Sequence, residues 1–134
     1  MTRRALVCED DFSIRLLLEA VLTRYGLTVE SVATGVDAVA RLRRQHYELV
    51  LLDLLLPVMS GYEIIDLFVR ERPELLSRVV IVTAVQRAFR ESLPVAAAIP
   101  KPFDLDDLGQ VIQRVLAPWP DAHRHERYAE GELQ

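Results

Sequence analysis

The sequence predicts an α/β domain: a five-stranded parallel sheet with helices on both faces. Three observations carry that prediction. Five short apolar runs, Ala5–Cys8, Leu27–Val32, Leu49–Leu52, Arg78–Val82 and Val95–Ile99, punctuate the chain. Between them lie segments whose apolar residues recur at helical spacing. Most of the runs are continuously apolar rather than alternating, as strands buried on both faces must be.

The elements follow in order. After the first run, Ile14, Leu17, Leu18, Val21 and Leu22 mark an amphipathic helix reaching Tyr25, which Gly26 ends. Leu27–Val32 is a short strand, and Val36–Arg44 a helix with its arginines outward. His46-Tyr47 is a loop into the central strand, Leu49–Leu52. Ser60-Gly61-Tyr62-Glu63 has the serine-x-x-glutamate pattern of a capping box and starts a third helix. Pro73 stops that helix at about Arg72. Arg78–Val82 is the fourth strand, Gln86–Ser92 a short helix closed by Leu93-Pro94, and Val95–Ile99 the fifth strand. Leu105, Leu108, Val111, Ile112, Val115 and Leu116 form the clearest amphipathic stripe, ended by Pro118 and Pro120. Residues 1–117 are expected to be one domain. Residues 118–134 are polar, without an apolar face, and read as a loose tail.

Composition narrows the function. A chain of 134 residues, 51% hydrophobic and 27% charged, is long enough to bury a core and too apolar for disorder. A net charge of −4 argues against direct nucleic-acid binding, and Arg41, Arg43 and Arg44 read as a solvated helix face. The single cysteine, Cys8, excludes an internal disulfide and reads as a buried inert thiol. Met1-Thr2-Arg3-Arg4 leads straight into the first strand, leaving no room for a signal peptide. Asp53 and Pro57 interrupt the longest apolar stretch, which is far short of the ~20 residues that cross a bilayer. The expectation is a cytoplasmic protein with no membrane segment.

Four signals carry chemistry, each at the end of an apolar run: Glu9-Asp10-Asp11, Asp53, Thr83 and Lys101-Pro102. Ligands of parallel α/β sheets bind outside the carboxyl ends of the strands, so these residues converge on one edge. Carboxylates gathered there suit Mg2+, a hard cation that takes oxygen ligands and keeps several waters. Asp11 and Asp53 are the expected direct ligands, with Asp10 nearby. The competing reading is that Asp10-Asp11 only caps the first helix at its positive end. Capping does not account for an aspartate directly after Leu51-Leu52 in a buried strand. A carboxylate can take a phosphoryl group covalently, with a metal, a cation and donors around the transferred oxygens. Asp53 is the expected covalent centre, Lys101 the cation and Thr83 the hydroxyl. Singly, Thr83 is an ordinary strand-end residue and Lys101 an ordinary loop lysine.

From Arg4 to about Ala117 the chain resembles the receiver domain of bacterial two-component response regulators, similar to the single-domain chemotaxis type. Glu9-Asp10-Asp11 looks like the family's acidic metal-binding pair, and Asp53 like its phospho-acceptor. Asp53-Leu54-Leu55-Leu56-Pro57-Val58-Met59-Ser60-Gly61 is similar to its Asp-x-x-x-Pro-x-x-x-Gly loop, and Thr83-Ala84 and Lys101-Pro102-Phe103 to its remaining signatures. The resemblance implies a flavodoxin-like fold with strand order 2-1-3-4-5. It also implies Mg2+ held by Asp10, Asp11, Asp53 and the Leu55 carbonyl. By the same token a histidine kinase or histidine phosphotransfer protein would donate a phosphoryl group to Asp53, and self-catalysed hydrolysis would remove it. Output would pass to an unidentified downstream protein, from a monomer or weak homodimer.

The chain departs from the family in one region. The aromatic that couples to the loop hydroxyl usually stands three residues before the lysine, where this chain has Ala98. Thr83 to Lys101 is shorter than the family norm by about four residues, roughly one helical turn. Leu93-Pro94-Val95-Ala96 replaces a glycine-alanine pair, and Pro100 removes a backbone donor at the strand end. Neutral drift and a modified signalling face both account for this. Leu55 and Val85, two residues after the aspartate and the threonine, offer no group to position water, which implies slow self-dephosphorylation.

A stand-alone receiver is the expectation. A receiver belonging to a longer regulator and a pseudo-receiver regulated by binding alone are the alternatives. A nucleotide-binding enzyme on the same fold would carry a Gly-rich phosphate loop after the first strand, where this chain has acids. His123 and His125 lack a third ligand and read as part of a solvated tail.

Overall fold

Five parallel strands form one sheet: β1 (Arg4–Cys8), β2 (Thr28–Val32), β3 (Leu49–Leu52), β4 (Val79–Thr83) and β5 (Ala97–Pro100), in the order β2-β1-β3-β4-β5. Four helices connect and follow them: α1 (Phe12–Arg24), α2 (Gly35–Arg44), α3 (Gly61–Glu71) and α4 (Leu105–Leu116). The computed structural model describes residues 3–117. The expected tail, with Trp119, His123 and His125, lies outside the described residues.

Each face of the sheet has its own core. Leu6, Cys8, Val50, Leu52 and Ile81 point toward α2 and α3, where they meet Leu42, Ile64 and Phe68. Ala5, Val7, Leu49, Leu51, Val80 and Val82 point the other way, onto Leu18 and Leu22 of α1 and Leu108 and Ile112 of α4. This two-sided burial is why the central strands read as unbroken apolar runs. Burying each large aliphatic side chain stabilises the fold by about 1.5–3 kcal/mol.

The helix boundaries follow from local chemistry. Asp11, Thr34, Ser60 and Asp104 cap α1, α2, α3 and α4, each accepting hydrogen bonds from backbone N–H groups of the first turn. At the end of α1, Gly26 adopts φ +82°. There Gly26 N donates to Thr23 O at 3.0 Å and Leu27 N to Leu22 O at 3.4 Å. This is the paired closure that favours glycine just past a helix. Two of the three arginines of α2 are ion-paired on the surface. Arg41 pairs with Glu30 at 3.0 Å, and Arg43 with Glu71 of α3. Glu30 of β2 also accepts from Tyr47 Oη at 2.6 Å and pairs with Arg4 at 3.2 Å.

Three expectations change. A 3-10 segment, Pro73–Arg78, fills the space between α3 and β4, where Pro73 signalled only a stop. The helix expected over Gln86–Ser92 is a single 3-10 turn, Gln86–Phe89. Its cap, Val85, makes no side-chain hydrogen bond to hold a longer helix. Beside it an open groove of about 380 Å³ is lined by Ala88, Phe89, Leu93, Val95 and Ala98 among others. β5 itself begins at Ala97 rather than Val95 and runs to Pro100. Ala96 N donates to Val79 O at 2.9 Å. Two-residue alternation would next make Ala98 and residue 100 donors toward β4. The proline ring has no hydrogen to give, and Lys101 N donates to Thr83 O instead, at 2.9 Å.

Candidate functional site

Strand register builds the site. Cys8 of β1 pairs with Leu52 of β3, so the next residues, Glu9 and Asp53, emerge side by side at the carboxyl edge. Asp53 N donates to Cys8 O at 3.1 Å and locks this alignment. Thr83 is the last residue of β4, and Lys101 follows β5 directly. The loop after Asp53 is pinned to the start of α2: Gly35 N donates to Pro57 O at 3.1 Å. A Cβ at Gly35 would sit 1.8 Å from Met59 O, so only glycine allows this approach. Within the loop Met59 N also donates to Pro57 O, at 2.8 Å, closing a three-residue turn around Val58 at φ +73°.

Asp53 is almost fully buried, 5% exposed, and its carboxylate accepts hydrogen bonds from Thr83, Leu55 and Lys101. Its Oδ1 accepts from Thr83 Oγ1 at 2.9 Å and from Leu55 N at 3.1 Å. Its Oδ2 accepts from Lys101 Nζ at 2.7 Å. Nζ also lies 2.6 Å from Glu9 Oε1, in a second ion pair. Burial works against the charge of Lys101. The hydrogen bonds and charges of Asp53 and Glu9 outweigh it and hold the ammonium above its usual value. Burial pushes the Glu9 carboxyl up, only partly offset by Lys101 and by the Asp11 N–H.

Glu9, Asp10 and Asp53 can each present a carboxylate oxygen within 4.8 Å of the others. Three hard oxygen donors at this spacing fit Mg2+. All three donors are carboxylate oxygens, and the exposed Asp10 leaves a side open for the ion's waters.

This grouping shifts the expected acid pair by one residue. Asp11 was expected beside Asp53, but its Oδ1 accepts from Ile14 N at 2.9 Å, and it is the N-cap of α1. The chain turns into the helix there, so the carboxylate serves the helix end rather than the cluster. Glu9 takes its place, and counting the residues that follow each strand end is the signal that finds it. For Leu55 the structure shows the N–H donated to Asp53 and a side chain 60% exposed. His46 pairs with Glu48 at 3.3 Å and takes no part in the site. Cys8 is buried, and burial drives its thiol far up, as an inert core residue requires.

Residues 5–113 match the family model described as the response regulator receiver domain. Sporulation initiation phosphotransferase F of Bacillus subtilis is 30% identical over 123 residues, covering 87% of this chain and 95% of that protein. Other relatives are longer. Transcriptional regulatory protein AfsQ1 of Streptomyces coelicolor is 44% identical over 59 residues, 44% of this chain and 26% of that protein. Among solved structures, the receiver domain of sensor histidine kinase PA1611 from Pseudomonas aeruginosa has magnesium coordinated in its active site cleft. It is 28% identical with a TM-score of 0.74, covering 87% of this chain and 99% of that one. The response regulator TrrA of Thermotoga maritima, in complex with Mg(2+)-BeF, is 25% identical with a TM-score of 0.77, covering 86% and 100%. The sheet order, the acid cluster and these likenesses agree: the chain belongs to the response regulator receiver domain family.

Proposed function

We propose that this receiver takes a phosphoryl group onto Asp53 from phosphohistidine of a histidine kinase or phosphotransfer protein. The observation that carries the reading is the setting of Asp53. It is a buried carboxylate that receives Lys101 Nζ at 2.7 Å and Thr83 Oγ1 at 2.9 Å, beside Glu9 and Asp10. In the transfer the phosphorus–nitrogen bond of the donor breaks as a bond from phosphorus to an Asp53 carboxylate oxygen forms. Lys101 offers a point charge to the transferred oxygens, and Thr83 a hydroxyl. Glu9, Asp10 and Asp53, with the Leu55 carbonyl, are the groups that would hold Mg2+, which supplies positive charge against the phosphoryl oxygens.

Receiver domains are signalling modules rather than conventional enzymes, and the output here would be a change of surface read by another protein. Phe12 and Leu16, one turn apart on α1, and Leu55 and Val58, on the loop after Asp53, are exposed apolar groups. They lie on elements that start at the site and give a phosphodonor protein apolar purchase. Among the described residues no helix is long and apolar enough to cross a membrane, and the cytoplasm is the compartment this reading assigns. The match to part of AfsQ1 keeps open a receiver that works within a longer regulator.

Adding beryllofluoride, a phosphoryl mimic, with MgCl2 tests the reading by amide NMR. The expected result is a shift of Glu9, Asp53, Leu55, Thr83 and Lys101 that needs both reagents. An unchanged spectrum would contradict it.

A further inference from the structure

The start of α1 carries a charge of the wrong sign for its place. The first turn holds no acidic residue, and Arg15 follows it directly. A cation at a helix N-terminus opposes the helix dipole. The side chain does not run out to solvent. It bends back across the cap: Arg15 Nη1 donates to Glu9 O at 2.8 Å and lies 3.4 Å from Asp10 O. The guanidinium carbon is 5.5 Å from the centre of the Phe12 ring, which covers it. Arg15 therefore holds the backbone of the two acids that, with Asp53, make up the candidate metal cluster.

We propose that Arg15 is a positioning residue for Mg2+ binding, clamping the Glu9–Asp10 turn so that both carboxylates face Asp53. This rests on the reading that those three residues hold the ion. The turn needs an anchor that does not depend on metal, because three clustered carboxylates repel one another. One side is fixed by Asp11, whose N–H donates to Glu9 Oε2 at 3.0 Å and whose carboxylate caps α1. The guanidinium fixes the other side through the carbonyl oxygens. Its two roles have opposite signs. As a nearby charge it repels a cation, so its removal would tighten Mg2+ binding. As a clamp it preorganises the ligands, so its removal would weaken binding.

Calorimetric titration with MgCl2 separates the two, using wild type, Arg15→Gln, Arg15→Lys and, as a control for charge on the same helix, Arg24→Gln. Arg15→Gln is expected to weaken Mg2+ binding by about tenfold or more, the usual effect of losing a group that orients metal ligands. Its Tm should stay close to wild type. Arg15→Lys keeps the charge, but its shorter side chain ends before the position of Nη1 and has no planar guanidinium to lie over the Phe12 ring, and it should also bind more weakly. Arg24→Gln should bind like wild type. Unchanged or tighter binding by Arg15→Gln overturns the clamp. If that variant does not fold, wild-type affinity in Arg15→Lys overturns it instead. If wild type itself binds no Mg2+, the site reading falls and takes the clamp with it. That outcome is distinct from a wild type that binds beside an indifferent variant.

Discussion

Replacing Gly35 by alanine should damage this protein more than any other single methyl addition at a glycine with an open side. The new Cβ would lie 1.8 Å from Met59 O, 2.6 Å from Met59 C and 2.7 Å from Met59 Cβ. Two of those atoms belong to backbone, which cannot swing aside as a side-chain tip would. The loop must withdraw by more than 1 Å, and the 3.1 Å hydrogen bond from Gly35 N to Pro57 O goes with it. Overpacking costs about 1–3 kcal/mol, and a lost backbone hydrogen bond about 1 kcal/mol more. The expected loss is therefore about 2–4 kcal/mol, read from urea unfolding followed by circular dichroism. Gly26 is the matched comparison. It sits at φ +82° with nothing within 4 Å, so its demand is conformational rather than steric. Gly26→Ala should cost about 1–2 kcal/mol, and Gly26→Asn less, because asparagine tolerates the left-handed region. Gly35→Asn should be no better than Gly35→Ala. A Gly35→Ala cost below that of Gly26→Ala would refute the close approach as the reason for glycine at 35.

Three further outcomes are expected. Val58 holds φ +73° although it is β-branched and 79% exposed, so Val58→Asn should raise stability by about 1 kcal/mol in the same assay; a loss would show the strain is absent. Tyr47→Phe removes the 2.6 Å hydrogen bond to Glu30 and should cost about 1 kcal/mol, since the carboxylate end is partly solvated. That bond, with Arg41 and Arg4, holds the Glu30 carboxyl below its usual value, so its stabilising effect is present above the unfolded value of 4.5 and fades as pH falls through the folded one. Unfolding free energy measured from pH 7 down to pH 3 should accordingly fall less steeply in Glu30→Gln than in wild type. Leu55→Asn with Val85→Glu should speed loss of phosphate from the phosphorylated protein by supplying groups that position water; an unchanged decay rate, followed by intact mass, would count against that role.

Legibility in the sequence tracked how local the determining physics is. The central strands could be read because Leu49–Leu52 is apolar at every position, and burial on both faces leaves no other pattern. The start of α3 could be read because Ser60 and Glu63 stand three apart, and Ser60 Oγ does accept from Glu63 N at 3.2 Å. The identity of the acid beside Asp53 was not local. The sequence pointed to Asp11, whereas the pairing of Cys8 with Leu52 sets Glu9 level with Asp53. The stretch from Gln86 to Ala98 was harder still, since four alanines and two partly buried aliphatics have no period to read. There the chain makes one 3-10 turn beside an open groove. Tyr62 of α3 tethers this stretch through its hydroxyl, which donates to Glu91 at 3.0 Å, a link between distant residues that no local pattern announces. Arg15 escaped for the same reason, because its partners are backbone carbonyls, which carry no sequence signal.

The most direct test of the central claim is the intact mass of the protein after incubation with acetyl phosphate, with and without MgCl2, for wild type and Asp53→Asn. The account predicts the gain of one phosphoryl group that requires magnesium and vanishes in Asp53→Asn. No gain in wild type, or an equal gain in Asp53→Asn, would contradict it.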